Sequence, residues 1–161
     1  YQKDPQRLMR LCARLKEGKP DLKVAIVGTG ELEAEVKQLC EELKIQENVH
    51  FLGFQKKERL SEFYKAADLF VLPTREDIWG LVINEALAYG LPTITTDRCV
   101  AGLELIEDGV NGYVVPVEAE KINAVLASDL QQMGEASLRK IRPYTLENMA
   151  KVHAEIFENG R

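Results

Sequence analysis

The chain has 161 residues, of which 45% are hydrophobic, and it carries a formal net charge of -5 with a sequence pI near 5.2. A chain of this length can bury one core of ordinary size, so we predict a single domain. The acidic balance argues against nucleic-acid binding, because a surface that binds a phosphate backbone carries clustered basic residues, and Lys56-Lys57 and Arg139-Lys140 are too sparse.

The cysteines and histidines indicate neither a disulfide framework nor a metal site. Cys12, Cys40 and Cys99 are odd in number and widely separated, no CxxC occurs, and only His50 and His153 could join them. A reducing cytoplasm fits this pattern. No apolar run reaches membrane-spanning length and no signal peptide opens the chain, although a start at Tyr-Gln-Lys suggests a piece of something longer.

The first half of the chain predicts alternating helices and strands. An amphipathic helix is expected over residues 4–17, with Leu8, Leu11, Cys12 and Leu15 on its inner face. A strand over residues 22–27 then runs into a glycine turn, and a charged helix follows over residues 31–44. This alternation favours a parallel sheet.

The glycine turn contains Gly28 and Gly30. A dinucleotide fingerprint would need a third small residue at position 33, where Glu33 stands, and an acidic residue after the next strand, where Gly53-Phe54 stands. NAD binding is therefore disfavoured. The turn alone leaves open a simple tight turn or a turn beside a nucleotide.

The second strand is expected over residues 48–53, with His50 packing, and a helix follows over residues 57–67, with Leu60, Phe63 and Tyr64 inward. Residues 69–72 are apolar without alternation, which predicts a central strand covered on both faces. The later elements are a helix over 80–89, a strand over 93–96, a glycine-containing loop over 97–106, a turn over 107–112, a strand over 113–116, and helices from about 118 through 130 and from about 145 through 157.

The loop over residues 74–77 follows a strand and leads into a helix, which is where open α/β sheets bind ligands. Gly80 has no side chain and would let an anion approach the amides of Gly80, Leu81 and Val82, which the helix dipole reinforces. Glu85 is the one charged residue on an otherwise apolar helix that we expect to be buried. Such a carboxylate needs partners, either a ligand or structural hydrogen-bond donors.

The stretch DIWGLVINEALAYGLP resembles the signature of the retaining, GT-B-fold family-4 glycosyltransferases, in which an acid, seven intervening residues and a Glu flank an aromatic-Gly-Leu-Val core. In this chain, Asp77 and Glu85 stand at that spacing, with seven residues between them. The family usually has Glu at the first position, and Glu76 lies one place too early, so either Asp77 takes the role with a shorter arm or the loop shifts. The resemblance runs from Lys3 to Phe157.

This resemblance implies a doubly wound, Rossmann-like parallel sheet, with residues 1–161 forming the C-terminal, nucleotide-sugar-binding half of a GT-B glycosyltransferase and the N-terminal acceptor domain missing. It implies transfer of a hexose-type sugar from a UDP- or GDP-linked donor to a glycan or lipid-linked acceptor, with retention. Its site residues would be Asp77 on the donor sugar, Glu85 on the ribose hydroxyls, the amides of Gly80, Leu81 and Val82 on the diphosphate and sugar, Lys3 on the diphosphate, and Gly28 and Gly30 beside the nucleotide.

The resemblance implies no cofactor and no metal, since Lys3 and helix amides would replace it. We expect the protein to be cytoplasmic. For the full-length molecule, the expectations include a peripheral position at the inner face of a membrane and an acceptor at the membrane surface. Two alternatives stay open. A nucleotide-sugar 2-epimerase would be expected to show acidic and histidine residues for proton abstraction, whereas the loop motif favours transfer; the other alternative is a non-catalytic nucleotide-sugar-binding module.

Overall fold

A computed structural model describes residues 2–114 and 118–159. The helices in these residues are α1 (Pro5–Gly18), α2 (Glu33–Glu42), α3 (Lys57–Ala66), α4 (Leu81–Ala88), α5 (Val100–Leu105), α6 (Ala119–Leu126), α7 (Leu130–Ile141) and α8 (Leu146–Asn159). The strands are β1 (Val24–Val27), β2 (Val49–Gly53), β3 (Phe70–Leu72), β4 (Thr93–Thr95) and β5 (Gly112–Val114). None of these helices is both long enough and apolar enough to cross a membrane.

Every strand pair in the described residues is parallel, as predicted. β1 pairs with β2, and β3, β4 and β5 form a separate hydrogen-bonded ladder in that order. The strand in the middle of the three-stranded sheet is therefore β4, and the prediction that residues 69–72 form the central strand was wrong. The last predicted strand is seen as β5, and its residues 115 and 116 lie outside the described part.

The three-stranded sheet is covered on both faces. Val71 packs against the core formed by α1, α6 and α7, while Phe70 and Leu72 face the core formed by α4 and α5. Successive residues of a strand point to opposite faces, so a strand with helices on both sides must be apolar throughout. This arrangement confirms the doubly wound sheet at β3.

The two-stranded sheet is covered on one face only. Val24 and Ile26 pack against a core that includes residues of α1 and α2, whereas Ala25 and Val27 are exposed. His50 lies beside Ala25 in the register and is also exposed, so the prediction that His50 packs was wrong. Because successive residues of a strand point to opposite faces, His50 lies with Ala25 on the uncovered face of the sheet.

Helix α1 joins the two sheets. Met9 and Cys12 belong to the core under β1 and β2, and Leu11 and Leu15 belong to the core under β4. The three cysteines of the chain are buried and unpaired.

Two helices differ from the predictions. The glycine-containing loop over 97–106 contains α5, and the helix predicted over 118–130 ends at Leu126, followed by the unpredicted α7. The break occurs at Asp129, whose Oδ1 accepts a hydrogen bond from the Gln132 amide at 3.0 Å and so begins a new helix. Helix α8 has no buried residue.

Candidate functional site

Residues 2–4 are fastened to the loop that follows β3. The carbonyl oxygen of Gln2 accepts hydrogen bonds from Thr74 Oγ1 at 3.0 Å and from the Arg75 amide at 2.8 Å. Asp4 Oδ2 accepts a hydrogen bond from Arg75 Nε at 2.9 Å. Lys3 lies between these two anchored residues, so the start of the described chain is held against the loop.

These anchors bring Lys3 onto Asp77. Lys3 Nζ donates a hydrogen bond to Asp77 Oδ2, and the two side chains form an ion pair. The Asp77 amide donates to the Arg98 carbonyl oxygen at 2.9 Å, which fixes the loop against the segment before α5. Glu76 is exposed, and its carbonyl oxygen lies 2.9 Å from Thr74 Oγ1, so it shares that hydroxyl's single proton with the Gln2 carbonyl oxygen. Of the two neighbouring acids, the structure therefore places Asp77 beside Lys3.

Gly80 ends this loop and cannot be replaced without strain. Its φ is +94°, in the left-handed region that favours glycine, and a Cβ built on it would lie 2.5 Å from Cys99 Sγ. The same Cβ would lie 3.6 Å from Asp77 Oδ2. The Asp77 carboxylate, and with it Lys3, is thus next to the start of α4.

The first amides of α4 have no hydrogen-bond acceptor in the described part of the protein. In residues 2–114 and 118–159, the amides of Gly80, Leu81 and Val82 donate to no protein acceptor, whereas the Ile83 amide donates to the Gly80 carbonyl oxygen at 2.8 Å. No side chain caps this helix, and the Leu81 side chain is 68% exposed. Unsatisfied amides at a helix N-terminus, reinforced by the helix dipole, form an anion-binding site.

Trp79 fixes the loop from the other side. Its Nε1 donates to Asn84 Oδ1 at 2.8 Å, and its carbonyl oxygen accepts from the Ala101 amide at 2.8 Å and from Cys99 Sγ at 3.2 Å. The loop is therefore tied to both α4 and α5, and the position of the open amides does not depend on a ligand.

Glu85 is exposed, and the prediction of a buried carboxylate was wrong. Helix α4 buries Ile83, Ala86 and Leu87, while Leu81 and Glu85, four residues apart, lie on its solvent side. The apolar composition was misleading because Leu81 does not pack. The Glu85 carboxylate meets Tyr64, whose hydroxyl donates to Oε2 at 2.9 Å.

Tyr64 is held firmly on α3. It is 8% exposed, and its ring stacks on Tyr89 with 5.2 Å between centroids and 11° between planes. Burial, and then the hydrogen bond to Glu85, raise the pKa of Tyr64 well above its ordinary value, so the hydroxyl stays a donor at neutral pH. The sequence predicted that Tyr64 points inward. The sequence held no local signal for the contact between Tyr64 and Glu85, which are 21 positions apart.

The glycine turn after β1 has a separate position. Gly28 has φ +113°, and its amide donates to the Gly53 carbonyl oxygen at 2.8 Å. A Cβ at Gly28 or Gly30 would meet nothing within 4 Å. Among the described residues, no hydrogen bond or ion pair links this turn to Asp77 or Glu85, so their predicted shared role rests on a ligand that would span them.

Leu81 and Glu85 of the candidate site face solvent. Two clefts of about 230 Å³ each lie away from it, one lined by residues that include Lys16 and Asn48, the other by residues that include Gly109 and Asp129. Within the part of the chain that the structure describes, no three His, Cys, Asp or Glu side chains are grouped so as to hold a metal ion.

The chain resembles known glycosyltransferases. The family model for Glycosyl transferases group 1 matches residues 1–141. An uncharacterized glycosyltransferase of Methanocaldococcus jannaschii, MJ1607, is 30% identical over an alignment of 167 positions, gaps included, which covers 98% of this chain and 42% of that protein. A D-inositol 3-phosphate glycosyltransferase of Mycobacterium sp. (strain KMS) is 35% identical over 144 residues, which cover 86% of this chain and 31% of that protein.

The solved structure of S. aureus TarM, a mutant in complex with fondaparinux, alpha-GlcNAc-glycerol and UDP, superposes with a TM-score of 0.88 at 20% identity, over 98% of this chain and 33% of that chain. The predicted fold class, the Rossmann-like C-terminal half of a GT-B protein, is thereby confirmed. The chain spans between about a third and two fifths of the length of these proteins.

Proposed function

Because the chain belongs to the glycosyl transferases group 1 family, we propose that it binds a nucleotide-diphosphate sugar and that its whole protein transfers the sugar, with retention, to a glycan or lipid-linked acceptor. The observation that carries this proposal is the meeting of Lys3, Asp77 and the open amides of α4 at one point. There, Lys3 and the amides would offer positive potential to a diphosphate. Asp77 would offer a carboxylate to a sugar.

The diphosphate would bind at the amides of Gly80, Leu81 and Val82. Three consecutive donors without protein acceptors suit an anion, and oriented amides stabilise the charge that builds on a departing diphosphate. Lys3 adds a cation at the same place. In the ligand-free protein this cation is paired with Asp77, and a diphosphate would share it.

The sugar and the ribose would lie on either side of the diphosphate. Asp77, beside Gly80, would accept hydrogen bonds from the sugar hydroxyls near the transferred bond. Glu85 lies four residues beyond Leu81, about 6 Å along the helix, and faces solvent. That spacing suits a ribose joined to a diphosphate at the helix N-terminus. Gly28 and Gly30 would border the rest of the nucleotide.

We expect the donor to be UDP- or GDP-linked, and the UDP in the TarM structure supports the first. No divalent metal should be needed, since the amides and Lys3 supply the positive potential. The acceptor would be bound by an N-terminal domain of the full-length protein. We place that protein in the cytoplasm, peripheral to the inner face of a membrane when its acceptor is lipid-linked. The epimerase alternative gains no support from the relatives, which are named glycosyltransferases.

A binding screen tests the proposal. Calorimetry with UDP-, GDP- and ADP-sugars should show binding of at least one donor. Lys3→Gln should weaken it, while Lys19→Gln, at the opposite end of α1, should not. Absence of binding to all three donors, or equal effects of the two lysine variants, would overturn the proposed site.

A further inference from the structure

We propose that Tyr64 is a positioning residue that aims the Glu85 carboxylate at the ribose hydroxyls and so makes the site select ribonucleotides over their deoxy analogues. The inference rests on the proposed function and adds to it a residue outside the signature stretch. It starts from the 2.9 Å hydrogen bond that Tyr64 donates to Glu85 Oε2 across the α3–α4 boundary.

The two partners differ in burial. Glu85 is exposed and belongs to no buried cluster, so without an anchor its side chain would sample several rotamers. Tyr64 is buried among Leu60, Phe70, Ala86 and Leu91 and can hold a fixed position. The hydrogen bond therefore allows the packed Tyr64 ring to fix the orientation of the exposed Glu85 carboxylate.

The hydrogen bond also leaves the carboxylate with capacity for a ligand. An ionised carboxylate has about four lone-pair positions on its two oxygens, and Tyr64 occupies one of them on Oε2. Oε1 accepts from no donor in the described residues. Two neighbouring ribose hydroxyls could thus be accepted together, and a carboxylate that is already oriented loses less conformational entropy on binding.

The ring's surroundings argue for a stable arrangement. Tyr64 stacks on Tyr89 and meets Phe70 at 6.0 Å between centroids with 50° between planes. Phenylalanine at position 64 would keep both ring contacts and remove only the hydroxyl. Tyr64→Phe is therefore a clean probe of the hydrogen bond.

The experiment is calorimetric titration with UDP and with 2′,3′-dideoxy-UDP, or with the matching GDP pair if the donor screen selects guanine. Tyr64→Phe should lower affinity for the ribonucleotide roughly 3- to 10-fold, the range of one hydrogen bond, and leave affinity for the dideoxy analogue unchanged. Adding Tyr64→Phe to Glu85→Gln should cost little more, because both changes act on the same contact.

The chain offers a matched control. Tyr144 also donates to a glutamate, Glu104, at 2.9 Å, on an exposed part of the surface. Tyr144→Phe should leave both affinities unchanged. A second variant, Glu85→Asp, shortens the arm without altering Tyr64 and should show the same ribose-dependent loss.

The outcomes separate the inference from the function beneath it. Wild-type protein that binds no nucleotide would overturn both. A Glu85→Gln variant that loses affinity while Tyr64→Phe keeps it would overturn the role of Tyr64 alone. Equal losses for the ribonucleotide and the dideoxy analogue in Tyr64→Phe would assign Tyr64 a packing role and overturn the inference.

Discussion

The ion pair between Lys3 and Asp77 is suited to exchange rather than to stability. The side chains are 52% and 18% exposed, and pairs near solvent contribute about 0–1 kcal/mol. A diphosphate that approaches Lys3 therefore gives up little when the pair loosens. Asp77 and its neighbour Glu76 can be tested by separate substitutions.

We expect Asp77→Asn to spare affinity for the free nucleoside diphosphate and to weaken the sugar nucleotide about 10- to 150-fold, because a hydrogen bond to a charged acceptor contributes roughly 1.5–3 kcal/mol. Titration of both ligands measures this, and Glu76→Gln is the matched control. Equal losses for the two ligands would argue against a sugar contact, and a selective loss in Glu76→Gln would move the role to Glu76.

Glu85→Gln should lower nucleotide affinity by the same range, about 10- to 150-fold, if the carboxylate accepts the ribose hydroxyls. Because Glu85 is exposed, the free energy of unfolding should change by no more than about 0.5 kcal/mol. Denaturant melts of the ligand-free protein and nucleotide titration measure the two quantities. A variant that melts early but binds as the wild type does would end the ribose assignment.

At the scale of elements, the site depends on how the loop enters α4. The left-handed Gly80 leads into a first turn whose three amides donate to no acceptor in the described residues, and Trp79 ties the turn to its neighbours. The helix is 8 residues long and packs through Ile83, Ala86 and Leu87. Its N-terminus is thus rigid although it faces solvent.

Gly80→Ala should destabilise the fold by about 1–3 kcal/mol, because a Cβ strains the left-handed backbone and meets the buried Cys99 sulfur. Denaturant unfolding measures this. Gly30→Ala is the control: its Cβ would meet nothing within 4 Å, and we expect between no change and about 1 kcal/mol of added stability. Similar losses at both glycines would contradict the geometric argument.

At the scale of the whole molecule, the chain spans less than half the length of the relatives it matches. Leu81 and Glu85 of the candidate site face solvent, and so does one face of the β1–β2 sheet.

We expect the isolated chain to fold and to bind nucleoside diphosphates but to transfer no sugar, because we propose that an N-terminal domain of the full-length protein binds the acceptor. A transfer assay with the isolated chain, run beside the full-length protein, measures this. Transferase activity in the isolated chain would show that the acceptor site lies within it.

Binding should also survive metal removal. The expected source of positive potential is Lys3 together with the α4 amides, so EDTA should leave nucleotide affinity unchanged. Titration before and after chelation measures this, with readdition of Mg²⁺ as the control. Loss of binding on chelation, restored by Mg²⁺, would show that a metal ion completes the site.

The sequence by itself determined the strands, most of the helices and the glycine at the start of α4. These features follow from local patterns, since a strand buried on both faces must be apolar and a glycine before an apolar helix marks its beginning. The spacing of Asp77 and Glu85 was equally visible. Because α4 is apolar on nearly all sides, its sequence could not give which of those sides packs against a neighbour.

Only the tertiary structure decided the contacts that make a site. Lys3 and Asp77 are 74 residues apart and meet because Gln2 and Asp4 are fastened to the loop after β3. Glu85 proved exposed, with its anchor on α3, because the other side of α4 packs against the sheet. Such contacts depend on the placement of whole helices on the sheet, which residues adjacent in sequence do not specify.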